Sequence, residues 1–206
     1  MDQINPSYRL LRRAVGILGI SLPILIVIGH GHIERAMSYY YYTNMSTVFT
    51  GVLITFGLVL FTYRGKVVPG EKFSENRLTN ASGFFALIVA LVPTQFGQPI
   101  QAIYYVHNDP VRGLIHNGSA VIFILLMGII VLTKFTKAKY FKRFYQVAGW
   151  GVIFGLIFTI FSYVYMRVSH HQLFPGAVIL GQTIALWAFG AAWLRRGIPH
   201  PDAAKQ

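Results

Sequence analysis

The chain has 206 residues, 54% of them hydrophobic and 12% charged, at a mean hydropathy of +0.53. Ordinary soluble domains carry roughly 25% charged residues, so this balance excludes a conventional water-soluble domain and points to lipid as the solvent. The net charge of +12 invites a nucleic-acid reading, but the basic residues fall in short clusters beside apolar runs. No basic groove interleaved with stacking aromatics is present, so no nucleic-acid partner is expected.

Six apolar runs, of about 17 to 23 residues each, have the length a helix needs to cross roughly 30 Å of hydrocarbon. They are too long for the strands of a membrane barrel and lack its alternation, whereas a helix satisfies its backbone groups within the segment. The expected fold is all-α: an integral membrane bundle of six transmembrane helices in a single domain, residues 1–196, with a short cytoplasmic tail at 197–206.

The first span, 10–28, begins among Arg9, Arg12 and Arg13 and contains Pro23, where a kink is expected. It lacks the small-x-small cleavage pattern of a secretory signal and is expected to be retained. Before the second span, 47–63, stands MSYYYYTNMSTVF, with four successive tyrosines, Tyr39 to Tyr42. An aromatic belt at the water-lipid boundary would account for some of them, but four in a row overfill that role. At least one is expected to turn inward, in a capping segment whose Asn44 or Ser46 starts the second helix as its N-cap. The third span, 78–94, is followed by the longest connection, about Gln95 to Gly113, too short to build a core of its own.

The fourth span, 114–133, opens with IHNGSAVIF, placing His116 and Ser119 on one helical face. The fifth, 144–166, carries Gly151 and Gly155, and the sixth, 174–194, carries Ala185, Ala188 and Ala192, small residues expected at helix contacts. Gln182, in the sixth span, has four hydrogen-bonding positions to satisfy and is expected to face the bundle.

Three Lys and Arg residues lie at the start of the first span, four in 64–77, five in 134–143 and three after the sixth span. Fifteen of the 18 therefore share one side, and Arg35, Arg112 and Arg167 take the other. The positive-inside rule places both termini in the cytoplasm of a multi-pass cell-membrane protein. Cysteine is absent, which removes thiolate chemistry. No charged residue occupies the middle of any span, which argues against ion-coupled transport.

Six of the seven histidines, all but His200, fall at the outer end in this topology. Such imidazoles suit either zinc ligation or a pH response, yet no HExxH or HxxxH pair is present.

SYYYYTNMSTVFTG, YRG, FALIVALVPT, IHNGSAVIF, YQVAGWGVI and LGQTIALWAFGAAWLRRG, in that order, resemble a group of small uncharacterised bacterial six-span membrane proteins, over nearly the whole chain. More distantly, the Ser-Tyr loop and the His-x-x-x-Ala start of the fourth span are similar to the Frag/DRAM/Sfk superfamily. That resemblance implies lipid handling or membrane organisation. The chain departs from the motifs of the bacterial six-span group in two places: Gln182 stands where an acidic residue is usual, and Ser46-Thr47 stand where the loop continues with Arg-Asp.

The expected function is non-enzymatic binding or organisation of lipid, or of a partner membrane protein or second copy, without a cofactor. The expected site is an outer-leaflet pocket lined by Tyr39, Tyr41, Tyr42, Asn44, His116, Ser119 and Gln182. The alternative is a metal-dependent lipid hydrolase resembling the ceramidase and adiponectin-receptor superfamily. Its zinc would take His32, His116 and His170, with Ser38 and Asp109 nearby. A passive channel is a third reading.

Overall fold

The computed structural model describes residues 6–65, 70–95, 100–101, 105–106 and 109–199. Among them the chain forms α1 (Pro6–His30), α2 (Ser46–Thr62), α3 (Glu75–Leu91), α4 (Pro110–Thr133), α5 (Lys142–Ser169) and α6 (Ala177–Gly197). A 3-10 helix, Met37–Tyr42, joins α1 to α2, and a shorter one, Phe135–Lys137, follows α4. The connection from α3 to α4 carries a two-residue antiparallel pair, β1 (Ile100–Gln101) with β2 (Tyr105–Val106). Each apolar run thus corresponds to one helix. Four helices, α1, α4, α5 and α6, are long and apolar enough to cross a membrane. α2 and α3 have 17 residues each, about 25 Å of helix at 1.5 Å per residue.

Local chemistry sets the helix ends. The Ser74 hydroxyl accepts from the Arg77 N–H at 3.3 Å, which starts α3 three residues before its apolar run. The Asp109 carboxylate accepts from the Val111 N–H at 2.9 Å, and Pro110 takes the first helical position of α4, where a missing N–H costs nothing. Gly176, at φ 81°, holds the left-handed turn before α6 and delays that helix to Ala177.

The expected side-chain cap on α2 is absent. Met45 precedes the helix without capping it, and Ser46 is the first helical residue, its buried hydroxyl unpartnered. Asn44 is instead held by α1: its Nδ2 donates to the Gly29 carbonyl at 3.1 Å and its Oδ1 accepts from His30 Nδ1 at 2.8 Å.

The helices form a closed ring in chain order, each against the next, with α6 returning to α1. α1 and α6 run antiparallel, and Arg13 Nε donates to the Gly197 carbonyl at 3.1 Å, so the first and last helices share one end, here the terminal end. Small residues allow the close approaches. A Cβ on Gly155 would stand 2.6 Å from the Gly181 carbonyl and 2.7 Å from the Ala185 nitrogen, while Gly151 faces Ala188. The glycine and alanine faces expected on α5 and α6 therefore meet each other.

Near Pro23, where α1 lacks a backbone donor, the Trp187 indole N–H of α6 donates to the Ile20 carbonyl at 3.1 Å. The ring interior is filled by Phe56, Phe123, Phe189 and Trp193. Large apolar side chains including Ile17, Leu25, Leu58, Phe84, Leu125 and Phe161 point outward, an apolar exterior suited to lipid.

Candidate functional site

At the end opposite the termini, the tyrosine run lies across the mouth of the ring. In a 3-10 helix successive residues advance by a third of a turn, so positions three apart, such as Tyr39 and Tyr42, lie on one side. Met37, Ser38, Tyr40 and Tyr41 are buried, whereas Tyr39 and Tyr42 are half-buried. Tyr40 is fully enclosed; its hydroxyl donates to the His32 carbonyl at 2.8 Å and accepts from the Glu34 N–H at 3.2 Å. Burial raises the Tyr40 phenol above its ordinary pKa, and burial outweighs the nearby Arg35 to raise that of Tyr39 as well.

Two further bonds pin the segment to other parts of the ring. Gln182 Oε1, on α6, accepts from the Met37 N–H at 2.8 Å, and the Tyr42 hydroxyl donates to the Thr94 carbonyl, just past α3, at 2.5 Å. Gln182 thus faces the bundle as expected. Its partner is backbone, one of the N–H groups that a helix start leaves unpaired. Beside the segment, His30 Nε2 lies 3.3 Å from Glu34 and its ring meets Tyr40 edge-on at 5.6 Å.

His116 is buried at the start of α4, with Ser119 buried on the same face. Its Nδ1 lies 2.6 Å from the Val92 carbonyl, which can only accept, so Nδ1 carries the proton. His170 holds the left-handed residue that ends α5, at φ 60°, and is exposed, as is His32. Among the described residues no three His, Cys, Asp or Glu side chains stand together as metal ligands. His107 and His200 lie outside the described residues.

The terminal end holds a second constellation that the sequence reading did not collect. Arg12, eight per cent exposed, donates from Nε to the Tyr63 hydroxyl at 2.8 Å. That hydroxyl donates in turn to Glu75 Oε1 at 3.4 Å, and Arg196 Nη2 donates to both Glu75 oxygens at 3.2 and 3.0 Å. The Arg196 guanidinium lies 4.1 Å from the centre of the Phe135 ring, and the Trp193 ring contacts both Phe135 and Tyr63.

α1, α2, α3 and α6 each supply one member: Arg12 from within α1, Tyr63 just past α2, Glu75 as the first residue of α3 and Arg196 from the last turn of α6. Next to it, Glu71 pairs with Lys134 at 2.7 Å and Lys137 at 2.8 Å, and Lys134 also donates to the Phe73 carbonyl. Hydrogen bonds from the two lysines hold the Glu71 carboxyl below its usual pKa. A separate open cleft of about 360 Å³ on the outside of α2 and α3 is lined by Phe61, Thr62, Arg64, Asn76 and Asn80.

The signal for this cluster was present in the sequence. Glu75 is one of only six acidic residues, set between apolar runs in a strongly basic chain. Its partners Tyr63 and Arg196 lie 12 and 121 positions away, separations that no local pattern reports. No protein-family model, curated protein or solved structure matches the chain.

Proposed function

We propose that the chain is a six-span multi-pass protein of the cell membrane, both termini cytoplasmic, that binds and organises lipid without catalysing its turnover. The apolar exterior supports the membrane reading and extends to α2 and α3 through Leu58, Phe61, Phe84 and Leu91. The concentration of Lys and Arg at the terminal end supports the orientation.

The observation that carries the functional reading is the tyrosine lid. The polar groups in and around it are engaged with protein partners: Gln182 with a backbone N–H, the Tyr42 hydroxyl with a carbonyl, and His116 Nδ1 with another carbonyl. Groups committed in this way hold a structure in place; they are not poised to transfer protons to a substrate. The face left for lipid is the half-buried rim of Tyr39 and Tyr42 with exposed Asn44 beside it. There a ring that buries its face in acyl chains while wetting its tip is favoured. Behind the rim, the buried Tyr41 ring meets Tyr42 at 5.2 Å, and His116 and Ser119 are buried at the start of α4.

Because the chain has no cysteine, single-cysteine variants test it directly. An impermeant maleimide applied to intact spheroplasts labels Arg35→Cys and His171→Cys and spares Lys139→Cys; the reverse pattern overturns the orientation. Native mass spectrometry of the purified protein shows retained lipid that is lost in Tyr39→Ala combined with Asn44→Ala. Undiminished retention in that variant, at wild-type melting temperature, removes the outer-rim site.

A further inference from the structure

The terminal-end cluster contains more buried hydrogen-bond donors and more positive charge than the protein itself satisfies. Among the described residues of the cluster two guanidinium groups face one carboxylate, Glu75, Arg196 directly and Arg12 through the Tyr63 hydroxyl, so the positive charge is in excess. Among the described residues Arg12 makes one side-chain hydrogen bond, from Nε to a neutral phenol, and its two Nη nitrogens make none. Arg196 Nε and Trp193 Nε1 are buried without partners, and Trp193 is fully enclosed. Each of these unsatisfied atoms is a donor. Arginine cannot relieve the mismatch by losing its proton, and an unpaired buried cation is costly. The natural complement is a ligand that only accepts and carries negative charge, with several oxygens to engage a planar fork.

Position narrows the ligand further. Arg12 is hydrogen-bonded to the residue that closes α2, and Glu75 and Arg196 lie in the terminal turns of α3 and α6. The cluster therefore sits at the level of the helix ends, where lipid headgroups meet a bundle whose outer surface is apolar. Arg9, Arg13 and Arg195 on the same helix ends add a positive field that concentrates anions there.

We propose that Arg12, framed by Tyr63, Glu75, Arg196 and Trp193, seats a phosphate oxyanion at the terminal end, taken from an anionic phospholipid headgroup or from free phosphate. The fork of Arg12 is the binding group. Tyr63 is a positioning residue that fixes the fork through Nε, and Glu75 holds Arg196 in place. This site rests on the membrane reading for its lipid source but not for its chemistry, and it lies at the opposite end of the bundle from the tyrosine rim.

The test uses the full-length protein in nanodiscs. Retention of phosphatidylglycerol is compared with that of a galactolipid, which has the same acyl region and no phosphate, by native mass spectrometry. Inorganic phosphate is titrated separately in galactolipid nanodiscs, with melting temperature as the readout. Arg12→Gln is expected to weaken phosphate-dependent binding at least tenfold, whereas Lys139→Gln, an equal loss of charge at an exposed position, changes it less than twofold. Tyr63→Phe, which keeps the fork, is expected to weaken it by no more than about threefold.

Saturable binding of phosphatidylglycerol alone identifies the lipid as the source, and saturable stabilisation by inorganic phosphate identifies a soluble anion; both support the seat. Equal retention of galactolipid together with no response to inorganic phosphate overturns it, as does equal weakening by Arg12→Gln and Lys139→Gln. If Arg12→Gln does not fold, Arg12→Lys, which keeps the charge but loses the fork, decides the matter by the same tenfold criterion. A reversed maleimide pattern would refute the orientation while leaving the inorganic phosphate titration interpretable.

Discussion

Replacing Glu75 by Gln is the sharpest perturbation of the terminal-end cluster, because it removes the carboxylate charge with little change in volume. In the native protein the Glu75 side chain is 4% exposed and its Arg196 partner 16%. Removing one member of a buried ion pair costs about 3–5 kcal/mol, since the other is left as an uncompensated charge. Partial exposure of Arg196 lets water solvate part of that charge, which places the cost near the lower limit, about 3 kcal/mol. For a chain of this size each kcal/mol corresponds to about 2–4 °C, so the midpoint should fall by about 6–12 °C.

The measurement is thermal unfolding in phosphate-free galactolipid nanodiscs, followed through tryptophan fluorescence. A double-mutant cycle with Arg196→Gln should return a coupling of about 2–3 kcal/mol, because the second substitution removes the charge that the first one stranded. Arg12→Gln in the Glu75→Gln background should recover part of the loss by relieving repulsion between the two guanidiniums. A midpoint drop below about 2 °C, or strict additivity in the cycle, would refute the view that Glu75 neutralises a buried cation.

Gly155→Leu should destabilise the α5–α6 contact, because even the first added carbon meets backbone at 2.6 and 2.7 Å, and overpacking of this kind costs about 1–3 kcal/mol. Gly151→Ala, whose new carbon would meet only the Ala188 side chain at 3.1 Å, should shift the midpoint far less in the same melt. Gln182→Leu strips the acceptor from the Met37 N–H, a loss of about 1–3 kcal/mol, and hydrogen exchange should locate the resulting opening in the 3-10 helix while α2 stays protected. The lysines lower the folded-state pKa of Glu71, so its contribution is present above the ordinary carboxylate range and is lost as pH falls through the depressed folded value. A melting series from pH 6 to pH 3 should therefore show wild type and Glu71→Gln converging at the acid end.

The helices were legible because hydropathy over some 17 residues is a property of the segment alone. Span 47–63 became Ser46–Thr62, and 144–166 became Lys142–Ser169. Two whole-helix shifts have a common cause. Span 78–94 became Glu75–Leu91, and 174–194 became Ala177–Gly197. Apolar runs mark where side chains meet lipid, whereas hydrogen bonds end where a cap or a left-handed residue ends them. Ser74 starts α3 within polar sequence, and Gly176 delays α6 within apolar sequence.

The glycine and alanine contacts were legible for the same reason as the spans: small size has the same meaning wherever the partner comes from. Partners were not legible. Asn44 was expected to cap the helix ahead of it and instead bonds the helix behind it, and Glu75 draws its charge partner from α6. These choices depend on which helices become neighbours when the ring closes.

Ring closure also explains the tyrosines. A six-helix ring leaves a mouth wider than one side chain, and the connection across it must fill apolar space while satisfying backbone groups stranded at the helix ends. Tyrosine does both, because its ring supplies bulk and its hydroxyl lies far enough from the backbone to reach a carbonyl on another element. Tyr40 reaches His32 and Tyr42 reaches Thr94, while Gln182 reaches back from α6 to the start of the segment. A belt of four tyrosines facing lipid would leave those groups to water. The 3-10 turn directs Tyr40 and Tyr41 inward and keeps Tyr39 and Tyr42 at the rim, so one short run of sequence both closes the bundle and leaves an aromatic edge around its mouth.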